Sequence, residues 1–249
     1  MNKPSTLLPK IIFLDERSYD LNQLSKRYIV GCCVFVRDQW INFHSQVKTV
    51  GAIRPKRRLQ AIGILLTKMQ GMAILAYADI PTQLLSSGET DGTSDIPKMS
   101  RTDNTWSMGI VSTVLIAIAR LQRMGHSGLV DLYYDRKDIT DNHRITLENT
   151  LRKKLLEIAK EAAERYPNLP AGDPNKLELD KICSVSKPDR KETPNIFQQG
   201  TGLAHHFCVQ ASDLIDLGSE GRIFVENISP DICNMISRFA VPTENSEFR

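Results

Sequence analysis

Two kinds of apolar pattern alternate along this chain. Short runs that are apolar on both faces predict buried strands, and stretches with apolar positions every three or four residues predict helices. Lys10-Ile-Ile-Phe-Leu-Asp15 predicts a strand that ends in an acid. Tyr28-Ile-Val-Gly-Cys-Cys-Val-Phe-Val36 predicts a second strand, with residues 40–47 extending it or forming a hairpin partner. Leu59, Ile62, Leu65, Leu66 and Met69 lie on one stripe of a helix over residues 55–70, with Pro55 in its first turn. Met72-Ala-Ile-Leu-Ala-Tyr-Ala-Asp79 predicts a third strand.

Residues 86–103, rich in Ser, Gly, Thr and Asp, read as a flexible loop. A nearly all-apolar helix over 105–124 follows, then a fourth strand, Gly128-Leu-Val-Asp-Leu-Tyr-Tyr-Asp135. Period two sets Leu129, Asp131, Tyr133 and Asp135 on one face of that strand. A long amphipathic helix is expected over 141–166, a weaker fifth strand over 177–185, a basic polar loop over 187–202 and a helix over 203–217 closed by Gly218. A helical tail covers 218–249, with a terminal helix over 230–239. Three early strands followed by strand–helix steps is the order of the ribonuclease H fold. The expected architecture is one α/β domain, residues 1–249, with a ribonuclease-H-like mixed five-stranded sheet, helices on both faces and the helix near 55–70 as an insertion.

Composition narrows the setting. The 249 residues are 41% hydrophobic and 24% charged, with a net charge of +3 and a pI near 8.6, which permits a polyanionic partner without requiring one. Five cysteines without C-x-x-C spacing favour a reducing compartment. No signal-peptide core and no membrane-length apolar run is visible, so a soluble, cytoplasmic protein with no membrane partner is expected. No Walker-type loop and no G-x-S-x-G elbow is present, which disfavours a P-loop nucleotide enzyme and an α/β hydrolase.

The chemistry lies in the acids. Asp15 ends the first strand, Asp135 ends the fourth, and Asp213 lies on the late helix. In a ribonuclease-H-like sheet the first and fourth strands are neighbours and the late helix packs beside their ends, so three carboxylates converge. Such acids repel unless a cation joins them, and hard oxygen ligands suit Mg²⁺ or Mn²⁺, the ions that serve phosphodiester cleavage. Asp131 points the same way as Asp135 and is the alternative middle acid. Gln210 and Asp213, three apart, share a helix face, with His206 four residues before Gln210. His205, His206 and Cys208, with Cys32 or Cys33, form a weaker zinc alternative. Asp138, Asp141 and His143 cluster just after Asp135, where Thr140 or Asp141 is expected to cap the long helix and His143 is a weaker candidate for reaching a leaving group. Arg54, Lys56, Arg57 and Arg58 form one basic run and Lys187, Arg190 and Lys191 another, both candidates for phosphate contacts to DNA or RNA.

Phe13-Leu-Asp15-Glu16-Arg17-Ser18 near the N-terminus and Gln210-Ala-Ser-Asp213 near the C-terminus resemble the two motifs of the bacterial domain-of-unknown-function family numbered 3800. These are a strand ending in Asp-Glu-Ser-Gly and a Gln-x-x-Asp helix. The resemblance implies a ribonuclease-H-like, metal-dependent nuclease with Asp15, Glu16, Gln210 and Asp213 as site residues, and a role in bacterial defence. Arg17 stands where the family has Ser-Gly. That departure motivates the alternative of a non-catalytic subunit that binds nucleic acid or a protein partner in a larger complex.

Overall fold

Apolar side chains carry the start of the first strand, and backbone pairing carries the rest. The computed structural model describes residues 8–83, 101–124, 126, 128–135, 145, 149, 153, 177–185, 194–230 and 233. β1 (Lys10–Asn22) and β2 (Ser25–Val36) form one long antiparallel hairpin, from Lys10 opposite Val36 to Asn22 opposite Ser25. β1 is buried through Asp15 and mostly exposed beyond it. The expected strand end at Asp15 is therefore corrected. Residues 16–22 are mostly polar, yet they stay extended because the strand pairs with β2 as far as Asn22, with one irregularity at Leu21.

The chain continues through α1 (Arg37–Phe43), α2 (Val47–Ala52), α3 (Pro55–Lys68), β3 (Met72–Pro81), α4 (Arg101–Arg123), β4 (Gly128–Asp135), β5 (Leu177–Val185), α5 (Ile196–Val209), α6 (Ala211–Leu217) and β6 (Ile223–Asn227). Residues 40–47 are helical rather than extended: Val36, Trp40, Val47 and Val50 are buried at helical intervals. Trp40 packs between Phe13 and Phe35, with ring centroids 4.6 and 4.9 Å away, and its Nε1 donates to the Ile196 carbonyl.

The sheet has six strands in the order β5-β4-β1-β2-β3-β6, one more than expected. β2 is antiparallel to both β1 and β3, and the pairs β1/β4, β4/β5 and β3/β6 are parallel. β6 lies in what reads as a helical tail. Its five residues are strand only because they pair with β3, from Ala73 beside Ile223 to Tyr77 beside Asn227.

Each face of the sheet buries its own core. On one face Ile12, Leu14, Val30, Cys32, Val34, Met72, Ile74, Val130, Leu132 and Tyr134 pack on α4. On the other, Ile11, Phe13, Ile29, Cys33, Phe35, Ala73 and Leu75 pack on α3, α5 and α6. The late helix expected over 203–217 is two helices broken at Gln210. It also starts earlier, at a capping box in which Asn195 accepts from the Phe197 and Gln198 amides while Gln198 returns a bond to the Asn195 amide. All five cysteines are free thiols. Among the described residues no helix is long and apolar enough to cross a membrane. Most of the expected loop 86–103, most of the helices at 141–166 and 230–239, and the basic residues Lys187, Arg190 and Lys191 lie outside the described residues.

Two glycines let α5 lie directly on the sheet. A Cβ at Gly31 would sit 2.4 Å from the Ala204 carbonyl oxygen, and one at Gly200 would sit 2.4 Å from the Phe13 ring. Gly31→Ala should therefore cost about 1–3 kcal/mol, since the obstacle is helix backbone. Gly63→Ala, inside α3 with nothing within 4 Å of the new Cβ, should gain roughly 0.5–1 kcal/mol. Urea denaturation midpoints should move in opposite directions for the two variants.

Candidate functional site

Asp15 is a polar residue in the middle of an apolar strand. Its parity with Ile11 and Phe13 turns it to the α5 face, where its neighbour across the hairpin is Gly31. The missing side chain at Gly31 is what lets α5 approach, and two residues of α5 reach Asp15. His205 Nδ1 lies 2.6 Å from Asp15 Oδ2, and Cys208 Sγ donates to the Asp15 backbone carbonyl at 3.3 Å. The Asp15 side chain is 6% exposed and that of His205 is 54% exposed, so the pair runs from the sheet to the surface.

β4 supplies the neighbouring carboxylate. The parallel register pairs Phe13 with Tyr133 and Leu14 with Tyr134. Carried one residue further, it sets Asp135, the last residue of β4, beside Asp15. Tyr133, two residues earlier on the same face, stacks on Phe197 with centroids 4.3 Å apart and an interplanar angle of 15°. Phe197 lies in the first turn of α5, so this contact ties β4 to the helix that carries His205.

Asp131, the alternative middle acid, is already neutralised. Arg37 lies 2.5 Å from its Oδ2, and its side chain is only 4% exposed. Burial holds its carboxyl above the usual range, an effect that Arg37 and Lys181 partly offset.

The remaining expected site residues separate. Glu16, opposite Val30, turns toward the α4 face, away from Asp15; adjacent strand residues cannot share a face. Gln210 is buried at the break between α5 and α6, so it does not share one continuous helix with Asp213. Asp213 is exposed in the first turn of α6, where a negative charge suits a helix N-terminus. Among the described residues no three His, Cys, Asp or Glu side chains are gathered closely enough to hold a metal ion.

His205 and His206 point apart, as adjacent helix residues must. His206 faces Arg58 of α3. Burial first, then Arg58, then His205, lowers its imidazole below the usual 6.5. Of the basic run, Arg54 and Arg57 are exposed, and half-buried Arg58 donates to the Ile53 carbonyl. The side chain of Lys56 lies outside the described residues. Reading the sequence missed His205 as a partner of Asp15. The available signal was His205 and Cys208 three apart on a helix, a spacing that shares a face.

The depressed His206 titration has a definite sign. The folded chain disfavours the charged imidazole, so the folded state binds fewer protons than the unfolded one. Its contribution to stability is present above about pH 6.5 and is lost as pH falls through that value. His206→Gln should lose less stability than wild type between about pH 7.5 and 5.5, as read by thermal unfolding; equal losses would remove His206 as a source. No family model matches this sequence, and a search of curated proteins finds no match.

Proposed function

We propose that this chain is a ribonuclease-H-like phosphodiesterase that uses Mg²⁺ or Mn²⁺ to cut nucleic acid in the cytoplasm. The observation that carries this reading is a buried carboxylate, Asp15, on a central strand beside the acid-terminated end of a parallel neighbour. The order β5-β4-β1-β2-β3, with β1, β2 and β3 as an antiparallel meander, agrees with the ribonuclease H arrangement; β6 is then an addition at the edge. The motif resemblance to the bacterial family numbered 3800 points the same way, and a role in defence belongs to that resemblance alone.

The residues suit a hard divalent ion. Asp15 has Oδ2 engaged by His205, while no hydrogen bond from a described residue reaches its Oδ1. Mg²⁺ is commonly bound by one or two carboxylates plus waters and substrate phosphates, so Asp15 and Asp135 are an adequate protein contribution. Asp213, the third expected carboxylate, is exposed in the first turn of α6 and is not counted among these ligands. Glu16 is left outside the centre by its position on the opposite face. When bound, the ion polarises a phosphate oxygen and lowers the pKa of a water. The chain's own part is to hold Asp15 at a fixed angle and to offer Arg54, Arg57 and Arg58 to backbone phosphates. Lys187, Arg190 and Lys191, shortly before α5 in sequence, are proposed for the same role.

One observation favours a non-catalytic reading. Arg17 follows Asp15 by two residues on the same sheet face, and it is exposed. A cation there would take the place of a metal ion and leave a nucleic-acid- or partner-binding subunit. Cleavage assays on DNA and RNA with Mn²⁺ separate the readings. Asp15→Asn and Asp135→Asn should abolish cleavage with unchanged far-UV circular dichroism, and Asp213→Asn tests the third acid independently. Wild-type rates in Asp15→Asn, or no Mn²⁺ binding by wild type in calorimetry, would sink the nuclease reading.

A further inference from the structure

The geometry points to His205 as the positioning residue that turns one oxygen of Asp15 outward as a metal ligand, an inference that rests on the metal-dependent reading above. Nδ1 of His205 is 2.6 Å from Oδ2 of Asp15. An ionised carboxylate only accepts, so that nitrogen carries the proton and donates. With Oδ2 held, rotation of the carboxylate is blocked, and Oδ1 is the oxygen left to a ligand.

The strand beneath is held as well. Cys208, three residues along the same helix, donates to the Asp15 backbone carbonyl at 3.3 Å. Main chain and side chain of one residue are thus both fixed by α5. Two bonds from one helix to one buried acid define an angle as well as a position.

A structural role alone would show in stability: the Asp15 side chain is 6% exposed, so His205 compensates a buried acid. Hydrogen bonds that orient metal-binding carboxylates, in contrast, commonly change metal affinity by about 10- to 100-fold when removed. His205 touches neither metal nor substrate in this scheme. It acts through Asp15.

Three substitutions on the full-length protein test the assignment. His205→Asn places an amide nitrogen where Nδ1 stands and should keep the bond. His205→Gln carries its amide one bond further out, nearer the place of Nε2, and should lose it. His205→Leu removes the donor. Calorimetric titration with MnCl₂ should show affinity lowered about 10- to 100-fold in the Gln and Leu variants and held within a few-fold of wild type in the Asn variant. In cleavage assays the Mn²⁺ requirement should rise in the same order while KM for nucleic acid stays unchanged. Wild-type affinity in the Leu variant, or an Asn variant no better than Gln, overturns the role of His205 and leaves the metal reading standing. A wild-type protein that takes up no Mn²⁺ overturns both. Far-UV circular dichroism checks folding, and the two polar variants carry the comparison if Leu is poorly folded.

Discussion

The contact between α5 and the sheet at Gly31 governs the rest of the site. A strand residue with any side chain there would meet the Ala204 carbonyl and the Cys208 sulfur. Hydrogen bonds fade within a few tenths of an ångström of their preferred length, and the bonds that His205 and Cys208 make to Asp15 both depend on that closeness. Gly200 meets Phe13 in the same way nearer the start of the helix, where Trp40 also reaches the first turn of α5 through the Ile196 carbonyl. The helix is seated at two glycines and a tryptophan, and Asp15 inherits its surroundings from that seat.

β4 shows how one strand face can be divided among different tasks. Asp131, Tyr133 and Asp135 all point to the α5 side, and each meets something different. Asp131 is closed off by Arg37, Tyr133 is stacked under Phe197, and Asp135 stands at the strand end beside the register position of Asp15. Alternation alone sets the three on one face. What distinguishes them is distance along the strand, because α1 covers one end and α5 the middle.

Much of this was legible in the residues. The fourth and fifth strands fall at 128–135 and 177–185, as period and composition predict, and the parity of β4 holds because both of its faces are covered by side chains of different kinds. The α3 stripe reads correctly for the same reason: its apolar residues face a core and its charged ones face water. What could not be read was non-local. β6 is a strand by virtue of β3, and residues 16–22 by virtue of β2, so no window of sequence around either contains the cause. The error at Asp15 followed from the second of these. An acid assigned to a strand end can be grouped with its neighbour Glu16, while an acid in mid-strand cannot, because the pleat sends Glu16 to the α4 face. The break at Gln210 was similarly hidden, since Gln210 and Ala211 are both good helix formers. The Asn195–Gln198 capping box was visible in the sequence and was absorbed into an expected loop.

A centre proposed to attract a cation must hold the protein's own cations away from its carboxylates, and Asp131 and Asp15 illustrate the contrast. At Asp131 the guanidinium of Arg37 has taken the place an ion would occupy, and burial of that acid is tolerated because of it. At Asp15 the neighbour is α5. Its consecutive histidines diverge by about 100°, so His206 faces Arg58 and His205 faces Asp15. The positive charge of Arg58 is therefore felt by His206, whose imidazole burial and Arg58 both push below its usual pKa, and Arg58 also donates to the Ile53 carbonyl just before α3. Asp15 receives from His205 a donor that fixes its direction. On this argument two neighbouring residues on one turn of α5 do different work: His205 orients the acid, and His206 meets the charge of Arg58.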